Sequence, residues 1–465
     1  MSQHTAILWF RRDLRLADNP ALHAAIKSGA KILPVYVLDD ENAAEWKMGG
    51  ASRWWLHHSL KSLNETLDGK LVLLKGDAFV QIPALAQEIN ADSVYWNRCY
   101  EPWRIKRDKL IKETLKDLDI NAESFNGSLL WEPWDVLKSD GTPYKVFTPY
   151  YRRGCLSKDE PRAPLPKPKL IDLTSYKGET LESLKLLPRK PEPRWDKKME
   201  QYWEIGESGA AKALKHFITH GLADYKQGRN FMAKDNVSRL SPRLHFGEIS
   251  PNQAWHAAKA QGEDANIDCF CSELGWREFS HHLLYHFPTI PKKPLQERFA
   301  SFPWAYNKKH LEAWKTGQTG YPIVDAAMRE LWETGYMHNR ARMIVGSFLV
   351  KHLLLNWHAG EDWFWDCLVD ADLANNSASW QWIAGCGADA APYFRIFNPV
   401  MQGEKFDGTG EYVRRYVPEL SKMPDKYLHK PWEAPDNVLE YAGVKLGKTY
   451  PNPIVDHADA RERAL

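Results

Sequence analysis

Short apolar runs recur along the first part of the chain, at Thr5–Phe10, Lys31–Leu38, Lys70–Lys75, Ser93–Arg98 and Ile120–Phe125. Their length and their bounding turn residues predict strands. Between them apolar residues return every three or four positions, which predicts helices. The first helix opens with Asn19-Pro20, a capping residue followed by proline at the first helical position. Strands alternating with helices predict right-handed crossovers and a parallel, Rossmann-like sheet. No GxGxxG follows the first strand, so a nicotinamide-type fingerprint is absent.

The pattern then changes twice. From Trp131 to Lys198 prolines cluster among lysines and serines (Pro161, Pro164, Pro166, Pro168, Pro188, Pro191, Pro193), which predicts a long linker draped over the surface. Beyond it strand patterns fade. Ala210–Thr219, Asn252–Lys259, Phe270–His282, Tyr321–Thr334, Arg340–Leu355 and Glu361–Leu368 carry helical spacing, so the second half is expected to be all-α. The expected organisation is an α/β domain over 1–130, a linker over 131–200 and a helical domain over 201–465.

Composition narrows the class. At 465 residues, two domains are the natural expectation. No run of about 18 apolar residues occurs, and the N-terminus lacks a secretory pattern. A cytoplasmic chain with no membrane span is expected. Six cysteines are too scattered for a disulfide framework, and Cys269 and Cys271 lack zinc-ligand spacing, so no metal site is expected. The net charge of +2 leaves any attraction for nucleic acid to a local basic face. The 21 tryptophans are unusual, because each buried indole N–H needs a partner; stacking or redox roles for some of them would explain the excess.

The helical half holds polar residues where a plain core would not. Glu273, Trp276 and Arg277 share one face of one helix, and Asn339, Arg342 and Met343 repeat that spacing after His338. Asp370-Ala371-Asp372 follows, then Asn376 and Trp380-Gln381-Trp382. Arginines, aspartates and an amide converging on one pocket suit a polar, negatively charged cofactor. A buried salt-bridge network, with Arg277 and Arg342 against Asp370 and Asp372, fits the same residues. Val237-Ser238-Arg239-Leu240-Ser241-Pro242 offers hydroxyls and backbone N–H groups that can cradle phosphate, and is equally an ordinary capping turn.

Taken in order, SRLSPRLHFGEIS, ELGWREF, TGYPIVDAAMREL, HNRARM, DADLANNSASWQW and DAAPYFRIFNPVMQGEKFD closely resemble the photolyase/cryptochrome family, and FRRDLRLADNPAL resembles its first strand and loop. The resemblance implies a helical domain that holds a bent FAD. The matching positions are Tyr225, Val237, Ser238, Arg239, Leu240, Ser241, Phe270, Arg277, Arg342, Asp370, Ala371, Asp372 and Asn376. Asn376 corresponds to the residue facing flavin N5. The implied reaction is blue-light electron transfer from reduced FAD to a cyclobutane pyrimidine dimer flipped out of damaged duplex or single-stranded DNA, with return of the electron. Glu273, Asn339 and Met343 match the dimer-contacting residues, and Trp276 and Trp382 the walls of the lesion pocket. Arg229, Arg340 and Arg395 match phosphate contacts. Trp380, Trp357 and Trp304 match a chain of indoles that carries electrons to the flavin. A monomer is expected.

Two other activities fit the resemblance. A (6-4) photolyase requires a histidine on the lesion-facing end of the HNRARM helix, where His338 falls one residue early, turned roughly 100° away. A cryptochrome would sense light without repair. The sequence departs from the family pattern at Tyr336, where tryptophan is expected, and at Ser377-Ala378-Ser379. Glu101-Pro102 is followed by Trp103 and Arg104 instead of the asparagine–glutamate pair of the folate-binding form. A methenyltetrahydrofolate antenna is the first expectation and an 8-hydroxy-deazaflavin the second.

Overall fold

The computed structural model describes residues 4–169, 171–188, 194–390 and 395–465. Pro191 and Pro193 of the linker, and 391–394 of the last motif, lie outside the described residues. The chain forms two compact units. The first comprises Met1–Ala223, Ser238–Pro288 and Val369–Ala374, and the second Asp224–Val237, Thr289–Leu368 and Asn375–Leu465.

In the first unit, β1 (Thr5–Phe10), β2 (Lys31–Leu38), β3 (Val72–Lys75), β4 (Ser93–Asn97) and β5 (Asn121–Phe125) form one sheet in the order β3-β2-β1-β4-β5. Every pairing is parallel. The connecting helices are α1 (Pro20–Lys27), α2 (Gly50–Thr66), α3 (Ala78–Glu88) and α4 (Pro102–Asp117). Asn19 caps α1 by accepting the Leu22 N–H, and Pro20 opens the helix, as its sequence predicts. Ile7, Trp9, Leu33, Val35, Val94 and Trp96 pack with Ile82, Ile111 and Leu115 into the sheet's core. Each such side chain contributes about 2 kcal/mol by leaving water. Pro34 sits within β2 without disturbing it, because β3 begins its pairing only at Val35 and no ladder bond to β3 is lost there.

The linking segment differs in part from the expected surface drape. Trp131, Val136, Phe147, Tyr150, Tyr151 and Cys155 are buried, and Phe147–Ser157 is helical throughout. Farther on, Ile32 of β2 bonds to Asp172 and Thr174, and Leu73 of β3 accepts the Glu179 N–H, so this stretch is stitched to the sheet. Helices Glu207–His216, Ser241–Phe246, Pro251–Lys259 and Ala265–His286 belong to the same unit. Ser250 and Gln253 form a capping box on Pro251–Lys259, and Asp264 caps Ala265–His286.

The second unit is helical among its described residues, with Pro322–Thr334, Asn339–Ser347, Trp357–Cys367 and most of Leu373–Ala384 among its elements. The helix expected over Arg340–Leu355 changes to a wider π turn at Phe348–His352. No helix of the described residues is long and apolar enough to cross a membrane.

Candidate functional site

In the first unit, helix Ala265–His286 carries Phe270, Glu273, Trp276 and Arg277. Phe270 is buried against Phe217. Trp276 lies flat on Phe147, centroid to centroid 3.8 Å, and Phe147 stacks in turn on Tyr151. Gly275 allows this approach: a Cβ there would lie 2.5 Å from a Tyr151 ring carbon. Phe147 and Tyr151, which brace Trp276, escape sequence reasoning because they sit in the proline-rich linking segment. Glu273 is half-buried.

Arg277 donates to Glu278 at 3.0 Å, not to either aspartate of the expected network. Glu278 also accepts the backbone N–H groups of Leu130 at 2.8 Å and Trp131 at 3.3 Å. Burial raises its pKa to about 7, against the opposing pull of Arg277 and those two N–H groups. Ser241 donates to Asp370 at 2.6 Å, and the Ser238 hydroxyl turns back to accept the Leu240 N–H. Leu240 is buried, and Arg239 adopts a left-handed conformation with φ of 49°.

Asp372 is buried next to Ala371 and accepts from Arg12 Nη1 at 3.0 Å. His245 Nδ1 lies 3.5 Å and His281 Nε2 3.8 Å from the same carboxylate. Burial alone would raise the Asp372 pKa, but His281, His245 and Arg12 outweigh it and hold the group well below its ordinary value. Arg12 also bonds Glu101 at 2.7 Å. Burial opposes ionisation of Glu101, yet Arg12 and Arg104 bring its pKa to about 2. Arg12 lies 360 residues from Asp372, which is why helical spacing could not reveal the pair.

In the second unit, Arg229 packs its guanidinium over Tyr225, and Val237 is half-buried. Arg342 donates to the Met337 carbonyl at 2.8 Å and stacks over Tyr336, the position where tryptophan was expected. The buried Asn376 donates to the Glu361 carbonyl at 3.0 Å, which leaves Oδ1 as its acceptor. Arg340 bonds Asn230 and lies over Phe406, with Nη1 3.7 Å from Met343 Sδ. Asn339 is exposed and Arg395 is exposed over Phe397. His338 is buried and caps its helix by accepting the Arg340 N–H at 3.1 Å.

Two of the three candidate indoles, Trp357 and Trp380, meet one element, helix Trp357–Cys367. Trp357 opens helix Trp357–Cys367 and stacks on His358. Trp380 lies over Gly360 of that helix, where a Cβ would overlap its ring, and meets Phe364 edge to face. Trp304 precedes Ala305, whose N–H bonds to Leu354 just before the helix. Trp314 is a fourth indole that sequence reasoning missed; it is buried with its centroid 6.2 Å from that of Trp380. Trp382 is half-buried on the Trp380 helix.

The residues fit a flavin dinucleotide by the chemistry of their donors and acceptors. Arg239, Arg277 and Arg342 supply cations, Ser238 and Ser241 hydroxyls, Asp370 and Asp372 buried acceptors, and Asn376 an amide that cannot ionise. In the first unit the hydroxyls and arginines suit a diphosphate and the aspartates ring N–H groups; in the second, Arg342 and Asn376 suit ring carbonyl and N–H groups.

Comparisons with known proteins agree with that chemistry. Residues 6–169 match the family described as DNA photolyase, and 270–465 the FAD binding domain of DNA photolyase. The deoxyribodipyrimidine photo-lyase of Agrobacterium fabrum is 51% identical, covering 100% of this chain and 98% of the relative. Cryptochrome-1 of Arabidopsis thaliana is 38% identical over 98% of this chain and 69% of its own length. The crystal structure of a bacterial class III photolyase from Agrobacterium tumefaciens superposes with a TM-score of 0.95 at 49% identity, covering 100% of this chain and 97% of that one.

Proposed function

The chain belongs to the DNA photolyase/cryptochrome family, and we propose that it repairs cyclobutane pyrimidine dimers in DNA with light. The observation that carries this reading is the single face of helix Ala265–His286, which presents an acid, an indole and an arginine at Glu273, Trp276 and Arg277. Reduced FAD, when bound, supplies the light-driven electron that opens the cyclobutane ring and takes it back afterwards.

The chain's own residues do the rest. Ser238 to Ser241 would hold the diphosphate, while Arg277, Arg342, Asp370 and Asp372 would fix the flavin ring. Tyr225, Val237, Phe270 and Ala371 line its apolar surround. Asn376 would lie beside the flavin ring, and with no acidic proton to give it would favour the anionic reduced form. Trp276 and Trp382 wall the pocket for the extruded bases and keep water out. Glu273 bonds the base carbonyls, and Asn339 and Met343 contact the dimer. Arg229, Arg340 and Arg395 neutralise phosphates of damaged duplex or single-stranded DNA. Trp304, Trp357 and Trp380 pass electrons inward when the flavin is oxidised. His338 is occupied as a helix cap, which argues against the (6-4) lesion as substrate.

A second chromophore is part of the proposal, with methenyltetrahydrofolate first and 8-hydroxy-deazaflavin second. Trp103, flanked by the guanidinium groups of Arg104 and Arg107, offers a cationic aromatic face for it. The chain is proposed to act as a cytoplasmic monomer.

The test is illumination with blue light on two oligonucleotides, each bearing one defined lesion. Restoration of the cyclobutane dimer alone is expected. Restoration of the (6-4) product alone contradicts the lesion assignment, and repair of neither with reduced flavin favours a light sensor.

A further inference from the structure

In doubly wound sheets the crevice between the two strands where the winding reverses is the usual ligand site. Here those strands are β1 and β4, and their carboxyl ends are closed by polar side chains. Arg11 bonds the Asn97 carbonyl and Asp108, and Asn97 donates to Asp13 at 2.6 Å and to Asn19 at 2.8 Å. The plug leaves the next residue, Arg12, projecting from the end of β1. Its Nη1 bridges Glu101 at 2.7 Å and Asp372 at 3.0 Å. All three side chains are buried or nearly so, with relative exposures of 16% for Arg12 and 6% for each acid.

We propose that Arg12 is a positioning residue for the flavin site: it fixes the carboxylate of Asp372, and Glu101 fixes Arg12. The proposal rests on the reading of Asp372 as a flavin-holding residue. The histidines at the same carboxylate do not supply a cation at neutral pH. Burial, reinforced by Arg12, lowers the His245 pKa to about 4, and burial lowers that of His281 despite Asp372. Arg12 therefore brings the positive charge among these three contacts. Taking a cation away from a buried carboxylate is costly and shifts its position or its proton. Arg104 shares Glu101 with Arg12 and so holds it in place from the other side.

The test is a double-mutant cycle read as the dissociation constant of FAD, with the absorption band of the bound oxidised flavin recorded for each variant. Arg12→Leu is expected to weaken FAD binding at least about 10-fold and to alter the band. Arg12→Lys, which keeps the charge, should recover most of both. In an Asp372→Asn background, Arg12→Leu should change the constant less than about 2-fold, because a neutral amide needs no cation. Equal weakening in both backgrounds, or unchanged binding in Arg12→Leu, overturns the proposal while leaving the function reading intact. A wild-type chain that takes up no FAD overturns both. Should Arg12→Leu fail to fold, Glu101→Gln takes its place in the same cycle, and additivity there overturns the proposal equally.

Discussion

Asp372 and Asn376 stand four residues apart, yet the surroundings that hold them obey different physics. Asp372 is held by polar groups, with the Arg12 cation and the rings of His245 and His281 converging from three distant parts of the chain. Asn376 and its helix neighbour Trp380 are held by backbone and by packing, through the Glu361 carbonyl, Gly360 and Phe364. The contrast suits the two proposed tasks. A ring that changes charge needs fixed countercharges, whereas a path for electrons needs close, neutral, immobile aromatics. Errors should therefore be graded in the polar region and abrupt in the aromatic one.

The abrupt case gives the largest expected effect. Trp380→Phe will abolish light-driven reduction of oxidised FAD, followed by flavin absorbance, yet leave repair intact once the flavin is reduced chemically. Loss of both activities would show that the indole supports the fold instead.

The polar side is sharpened by Glu278. Its pKa of about 7 in the fold exceeds its ordinary 4.5, so the folded chain binds the proton more tightly than the unfolded chain. Stability from this group is full below about 4.5 and falls as pH rises through 7, by on the order of 3 kcal/mol. Glu278→Gln removes that dependence. Urea unfolding of both proteins between pH 5 and 8 should show the wild type losing more stability than the variant, even though Glu248 and Glu361, also raised by burial, add the same trend to both.

Gly360→Ala tests packing beneath Trp380. Overpacking costs roughly 1–3 kcal/mol, against about 1 kcal/mol regained in helix propensity. A lower Tm together with slower photoreduction is expected; a higher Tm would mean that the indole has room to shift. The smallest effect is that of Arg340→Gln. It should weaken binding to damaged and undamaged DNA alike and reduce the slope of log affinity against log salt by about 1.

Legibility in the sequence followed the range of the forces involved. The five strands and the α1 cap were readable because they depend on neighbours in the chain; β3 and β5 merely begin one or two residues late, at Val72 and Asn121. Helix Ala265–His286 runs past both ends of the stretch its apolar spacing marks, because the Asp264 cap sets its start in a polar segment. The candidate residues on single helices could be chosen by face and by family resemblance. Arg12, Phe147 and Trp314 could not, since each meets a partner far along the chain. Arg277 shows the limit from the other side: its sequence neighbour Glu278 takes the guanidinium that spacing would assign to distant aspartates.

Catalysis without net consumption of the cofactor is the central claim, and anaerobic titration with excess dimer-bearing DNA tests it most directly. Protein whose flavin has been reduced beforehand is illuminated, while restored pyrimidines and flavin absorbance are followed together. The account predicts many dimers opened per protein molecule with the flavin still reduced at the end. Intact dimers, or one dimer opened for each flavin oxidised, would contradict it.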